Sequence, residues 1–241
     1  MKQLLYALLL LTTTARAQST PALQISPLGN DCYVYTTYRI LDGQPFPANA
    51  MYLLTSEGVV LFDTPWDSTQ FQPLLDTLQQ RHGQQAVFCI STHAHSDRTA
   101  GLEYFRKQGI ETWSTGMTYD FCSRNNERKA EYTFNDDTVF HIGEKSFRII
   151  YPGPGHTEDN IVIWLPHERI LYGGCFVKST ACTDLGNIAD ADLKAWPASI
   201  QKVIRECPDP AWVIPGHFGW QDTRALQHTL QLLHHYKKKK H

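Results

Sequence analysis

Four times along this chain, an apolar run of strand length ends at a glycine/proline break or short loop that carries a histidine or cysteine. Ala86 to Ile90 leads into Ser91-Thr92-His93-Ala94-His95-Ser96-Asp97-Arg98, and Phe147 to Ile150 gives way to Pro152-Gly153-Pro154-Gly155-His156. Ile170 to Tyr172 runs into Gly173-Gly174-Cys175, and Ala211 to Ile214 stops at Pro215-Gly216-His217. Proline cannot donate to a strand ladder, so these breaks fix where strands stop. Between them, Cys32 to Thr37 and Met51 to Phe62, the latter broken at Ser56-Glu57-Gly58, alternate like hairpin strands. Val139 to Ile142 and Ile161 to Leu165 are further strands. Phe71, Leu74, Leu75 and Leu78 repeat at helical spacing after Asp67 and Ser68, and Gly83 ends that helix. Gly101 to Gln108 reads as a second helix closed by Gly109. Pro197 fits the first turn of a third, running to about Glu206. The pattern predicts an α/β fold of two β-rich halves, sheets packed on each other, helices outside and the histidine-bearing loops along one edge.

His93, His95 and Asp97 occupy alternate positions, and in extended backbone residues two apart project to one side. Such a comb offers two imidazoles and a carboxylate to one small volume. Alone it could be surface polarity, and His156, Cys175 or His217 alone could be a turn or packing residue. Together the six supply four imidazoles, a carboxylate and a thiol, the ligand set that borderline-soft Zn²⁺ takes, in sufficient number for two ions.

Charge and length narrow the rest. The first residues, MKQLLYALLLLTTTARAQST, read as a secretory signal peptide cleaved near Ala17. Their apolar run is too short to span a bilayer, so a periplasmic protein without a stable membrane anchor is expected. Gln18 to His241 fits one domain. Without Lys2 and Arg16 the chain holds 20 basic against 24 acidic residues and no basic stripe, which argues against nucleic acid as a partner. Six irregularly spaced cysteines are too few for a disulfide scaffold, and Cys89, in AVFCIS, reads as a buried small hydrophobe. Lys237 to Lys240 reads as a solvated tail.

Leu61-Phe62-Asp63-Thr64-Pro65-Trp66, the His93 to Arg98 run, Gly155-His156-Thr157 with Asp159-Asn160, Leu171 to Lys178, Leu185-Gly186-Asn187 and Pro215-Gly216-His217 together resemble the first subclass of class B metallo-β-lactamases. The similarity spans about residues 31 to 236. It implies an αββα sandwich of two mixed sheets, with His93, His95 and His156 on one zinc and Asp97, Cys175 and His217 on the other. Arg98 and Cys175 set the chain apart from relatives that carry a histidine and a bridging aspartate there. The resemblance is weaker at Phe218, where glycine is commoner, and in the segment Ser114 to Tyr132, which reads as irregular. It also places Gln44 to Pro47 on a mobile flap and Trp66 at the edge of the site.

The resemblance implies a hydrolase that opens the β-lactam ring of penicillins and cephalosporins, with carbapenems expected too, and so confers antibiotic resistance; a monomer is expected. Zinc brings the pKa of bound water to about 7, so a hydroxide is the expected nucleophile and no acyl-enzyme is needed. Asp97 would orient that hydroxide, Asn187 assist the developing oxyanion and Lys178 bind the substrate carboxylate. Two other readings share the ligands: a hydrolase of lactones, thioesters or phosphoesters, and a zinc-sequestering protein. Arg98, Cys175 and Lys178 count against the first, and three protein ligands per ion, the catalytic arrangement, against the second.

Overall fold

The computed structural model describes residues 20–29, 31–135 and 137–239; the expected export segment, Met1 to Ala17, and Lys240 lie outside them. In chain order the first half comprises β1 (Gln24–Gly29), β2 (Cys32–Leu41), β3 (Gln44–Thr55), β4 (Gly58–Phe62), α1 (Phe71–His82), β5 (Ala86–Ile90), α2 (Ser96–Thr99), α3 (Leu102–Lys107), β6 (Glu111–Thr115), α4 (Gly116–Arg124) and β7 (Tyr132–Phe134). The second comprises β8 (Val139–Ile142), β9 (Lys145–Ile150), β10 (Val162–Leu165), β11 (Ile170–Gly174), α5 (Trp196–Glu206), β12 (Trp212–Pro215) and α6 (Ala225–Lys239). One sheet has seven strands in chain order, antiparallel from β1 to β4 and parallel from β4 to β7. The other runs β12-β11-β10-β9-β8, with β11 and β12 parallel.

Side-chain alternation decides the layers. In β4, Val60 and Phe62 face the second sheet, meeting Phe147, Ile149, Ile163 and Tyr172, while Val59 and Leu61 pack under Phe71, Leu74 and Phe105 of α1 and α3. In β10, Ile163 and Leu165 point inward, whereas Val162 and Trp164 join Trp196, Ile200 and Leu233 of α5 and α6. With helices on both outer faces, central strands are apolar throughout, as a doubly covered sheet requires. The architecture is the expected αββα sandwich.

Local chemistry sets the ends of several elements. Asp67 Oδ1 accepts from Thr69 N and caps the 3₁₀ turn Ser68–Gln70 that opens onto α1. α1 stops at Gly83, whose φ of 67° is left-handed. Thr115 Oγ1 accepts from Thr118 N and starts α4, a cap worth about 1 kcal/mol. The segment Ser114 to Tyr132, expected to be irregular, therefore holds a helix between β6 and β7. Lys237 to Lys239 form the last turn of α6, a helix the charge run concealed. Gln44 to Pro47, expected on a flap, pair in register with Tyr38 to Leu41 across an Asp42-Gly43 turn with φ of 49° and 73°. Two consecutive positive φ values are the hairpin turn whose twist matches its strands. β4 joins β3 only from Met51 onward, so Pro45 and Pro47 lie on an edge, where proline is tolerated.

Candidate metal centre

The ligand-type residues all follow strand ends: His93, His95 and Asp97 after β5, His156 after β9, Cys175 after β11 and His217 after β12. Parallel β11 and β12 bring the last two together, and the loops touch because glycines leave room. A Cβ on Gly216 would lie 2.7 Å from Cys175 N and 2.8 Å from its Sγ. Gly174, with φ of 51°, turns the chain out of β11.

The expected comb is only half right. His95 has extended backbone, φ −88° and ψ 149°, but Asp97 sits in the short helix α2. The helical turn swings its carboxylate toward Cys175 and His217, while a ligand atom of His93 stays within 4.8 Å of those of Asp97 and Cys175 and so joins the two groups. His93, His95 and His156 stack edge to face, with ring centroids 4.7–5.0 Å apart. Asp97 Oδ2, Cys175 Sγ and His217 Nε2 lie 3.1–3.3 Å from one another.

Hydrogen bonds aim the imidazoles. His217 Nδ1 donates to the Pro47 carbonyl at 2.8 Å, so in its neutral form a lone pair at Nε2 faces Asp97 and Cys175. His95 Nε2 donates to Asp190 Oδ2 at 2.9 Å and leaves Nδ1 toward His93. Thr92 Oγ1 gives its proton to Asp63 Oδ2 at 2.8 Å, so it accepts from His93 Nδ1 at 3.3 Å. His93 Nε2 then presents a lone pair 3.1 Å from that of His95 Nδ1. Beneath the site, the fully buried Arg98 bonds Asp97 through Nε at 3.0 Å, the Asn49 and Gly216 carbonyls, and the Tyr172 hydroxyl.

Burial holds His93 and His156 well below the usual imidazole range. Burial pushes Asp97 up, but Arg98, the His217 contact and His93 outweigh it and hold the carboxyl well below its ordinary value. Desolvation raises the Cys175 thiol, against the opposing pull of Arg98. Asp63, buried and opposed by Arg98 and hydrogen bonds from Tyr172 and Thr92, is pushed up to about 6 and remains ionised at neutral pH.

These donors fit zinc. Lone pairs meet at 3.1 Å between His93 and His95, a contact that repels unless a cation sits between them, and Asp97 Oδ2, Cys175 Sγ and His217 Nε2 crowd within 3.3 Å of one another. His156 Nδ1 is buried without a hydrogen-bond partner. A tetrahedral ion with bonds of about 2.0–2.3 Å spaces its ligand atoms about 3.3–3.7 Å apart, close to the separations seen here. Each set offers three protein ligands, which leaves a fourth position open.

Both sets contribute to the lining of a cavity of about 520 Å³ that also takes in Phe46, Trp66, Lys178, Asn187 and Phe218. Lys178 is buried, its Nζ 5.4 Å from the centre of the Trp196 ring, and desolvation lowers its pKa. Asn187 is exposed, and its Oδ1 accepts from Ala189 N. Trp66 donates through Nε1 to Ser96 Oγ. All six cysteines are free, and Cys89 is fully buried as expected. Asn49, Thr92 and Asp190 escaped the sequence reading. A strand asparagine, a loop threonine and one aspartate among several carry no pattern; only the motif holding Asp63 pointed to part of this network.

The sequence model of the metallo-β-lactamase superfamily matches residues 43–217. A type 2 metallo-β-lactamase of Elizabethkingia meningoseptica is 41% identical over 98% of this chain and 95% of its own. A solved metallo-β-lactamase from Pontibacter korlensis, 36% identical, superposes with a TM-score of 0.85 over 88% of this chain and 99% of its own. The metallo-β-lactamase FIM-1 of Pseudomonas aeruginosa, solved in a mono-zinc form, is 26% identical, with a TM-score of 0.85 over 91% of this chain and 98% of its own. Relatedness over nearly the full length, together with donors spaced as zinc requires, shows that the chain belongs to the metallo-β-lactamase superfamily.

Proposed function

We propose that this protein is a periplasmic, monomeric di-zinc enzyme that hydrolyses the cyclic amide of β-lactam antibiotics, carbapenems included, and so confers resistance. The observation that carries the reading is the convergence of His93, His95, His156, Asp97, Cys175 and His217 around one cavity that also holds a buried lysine. His93, His95 and His156 would hold one ion, and Asp97, Cys175 and His217 the other. Bound zinc supplies Lewis acidity toward a carbonyl oxygen and water acidic enough to serve as a nucleophile near neutral pH.

The chain's own groups do the rest. Lys178 offers a desolvated ammonium to the carboxylate that these substrates share, a charged contact that tolerates varied geometry. Asn187 keeps its amide N–H groups free of the turn that uses its oxygen, so they can donate to a developing oxyanion. Asp97, fixed by Arg98, keeps a charged oxygen at the reaction centre. Among the described residues, neither serine on the cavity wall has its hydroxyl bonded to a histidine, lysine or carboxylate that could activate it: Ser96 Oγ accepts from Trp66, and Ser179 Oγ donates to the Gly219 carbonyl. That favours direct hydrolysis over an acyl-enzyme.

The test is to purify the exported protein, measure its zinc and follow a chromogenic cephalosporin with and without a chelator. Turnover lost on chelation, restored by zinc and indifferent to a serine-directed inhibitor is expected. Turnover that survives complete zinc removal would overturn the proposal.

A further inference from the structure

Phe218 combines features seldom found in one residue. Its φ is 63°, a left-handed conformation that a bulky side chain adopts at a cost, and the residue is 40% exposed, one of few large apolar residues so exposed among the described residues. Strain of this kind persists only where surroundings over-determine the backbone. Here they do. Asn49 Nδ2 donates to the carbonyls of Pro215 at 3.0 Å and Phe218 at 2.7 Å, Asn49 N donates to Gly216 O at 2.8 Å, and Ser179 Oγ holds the carbonyl of Gly219. The loop that delivers His217 is thus clamped on both sides of residue 218, and the ring is fixed against the cavity.

The ring meets Phe46 edge to face at 5.0 Å, and Phe46 in turn meets His217 at 5.1 Å and Trp66 at 6.3 Å. Together with Leu41 these aromatics form an apolar part of the cavity wall, distinct from the polar part that Lys178 and Asn187 provide. An exposed aromatic on a rigid loop, beside a ligand-type histidine and inside a cavity, has apolar surface to bury when a ligand arrives.

Resting on the β-lactam reading, we propose that Phe218 determines specificity, its ring seating an aromatic or apolar substituent of the substrate so that compounds bearing one are preferred over those without it. The contact lies away from the scissile bond and is made in ground and transition states alike, so it acts on KM.

The experiment compares benzylpenicillin, which carries a phenyl group, with 6-aminopenicillanic acid, which shares its nucleus and carboxylate. Phe218→Gly removes the ring and fits the left-handed backbone; Phe218→Asn removes the ring and also tolerates that backbone. In both variants KM for benzylpenicillin is expected to rise about tenfold, the low end of what an apolar contact discriminates, with kcat, zinc content and KM for 6-aminopenicillanic acid unchanged. Calorimetric titration of both compounds into zinc-free protein should show the same preference, and the same loss, without turnover. If both compounds weaken equally, or neither changes, the proposal falls. If the binding preference depends on Phe218 but neither compound is hydrolysed, the seat stands and the assigned reaction fails.

Discussion

Arg98 Nε donates to Asp97 Oδ2 at 3.0 Å, with the arginine side chain fully buried and the aspartate side chain 9% exposed. The same guanidinium lies 3.5 Å from the buried Asp63 and reaches backbone carbonyls at Asn49 in β3 and at Gly216 beyond β12. One side chain therefore serves as counter-ion to two buried carboxylates and ties both sheets together beneath the candidate metal centre.

Removing it should be costly even without zinc. Arg98→Ala would leave Asp63 and Asp97 as uncompensated buried charges, a loss of about 3–5 kcal/mol. Arg98→Lys should recover only part of this, since an ammonium cannot fork among a carboxylate and two carbonyls. Urea denaturation of the zinc-free chain measures both, and a midpoint unchanged in Arg98→Ala would show that the buried charges need no partner.

Zinc should bind with release of a proton. Burial keeps the Cys175 thiol protonated at neutral pH, and its Sγ lies 3.3 Å from Asp97 Oδ2, where it donates. A coordinated sulfur is a thiolate, so that proton must leave. Calorimetry in buffers of differing ionisation enthalpy should report at least one proton released per chain, that of Cys175, with any ionisation of bound water adding to it. Cys175→Ser should lower the release by about one proton and leave one zinc bound. Two ions retained with the same release would remove Cys175 from the ligands.

The candidate ligands are legible because each carries its own chemistry: imidazole, thiol and carboxylate side chains, most of them next to glycine or proline breaks. The layers were legible for a similar reason, since strands such as Ala86–Ile90 announce themselves by apolar content. Illegible were contacts between residues of ordinary type. Asn49 clamps a loop more than 160 positions away, and Asp190 aims His95 from a loop 95 positions later. Strand spacing does not reach Asp97, because α2 begins at Ser96 and turns its side chain by helical geometry instead. The Lys237 to Lys239 run hid the end of α6, although Leu226, Leu232 and Leu233 bury its apolar face.

The zinc-free chain should lose stability as pH falls below about 6.5. His93 and His156 stay neutral in the folded chain, whereas in the unfolded chain they take up protons near the ordinary value of 6.5. Below that pH each ring contributes a slope approaching about 1.4 kcal/mol per pH unit. Asp63 runs the other way: at about 6 when folded against 3.8 unfolded, it gains a proton first in the folded state and offsets roughly one ring between those values. Asp97, held below its ordinary value, adds its loss only under pH 3.8. Denaturation midpoints from pH 7.5 to 5 should therefore fall, the slope growing below 6.5 and levelling below about 6 at roughly the contribution of one ring; a flat or rising profile would contradict the buried, neutral imidazoles.

Lys178 separates binding from chemistry. Its ammonium is desolvated beside the Trp196 ring, and its backbone N donates to Thr229 Oγ1 at 2.8 Å, so the side chain starts from a fixed base. A buried cation has already lost much of its hydration, so pairing it with a substrate carboxylate brings little further desolvation cost, and such a charged contact is worth about 1.5–3 kcal/mol. Lys178→Met keeps most of the volume against Trp196 and removes only the charge. KM for carboxylate-bearing β-lactams should rise about ten- to a hundredfold, with kcat and zinc content little changed, because the contact is made in ground and transition states alike. Methyl esters of the same substrates supply the control, since they lack the anion and should react equally well with the parent and the variant. If ester and acid suffer alike, Lys178 acts on the packing of the cavity rather than on the substrate's charge.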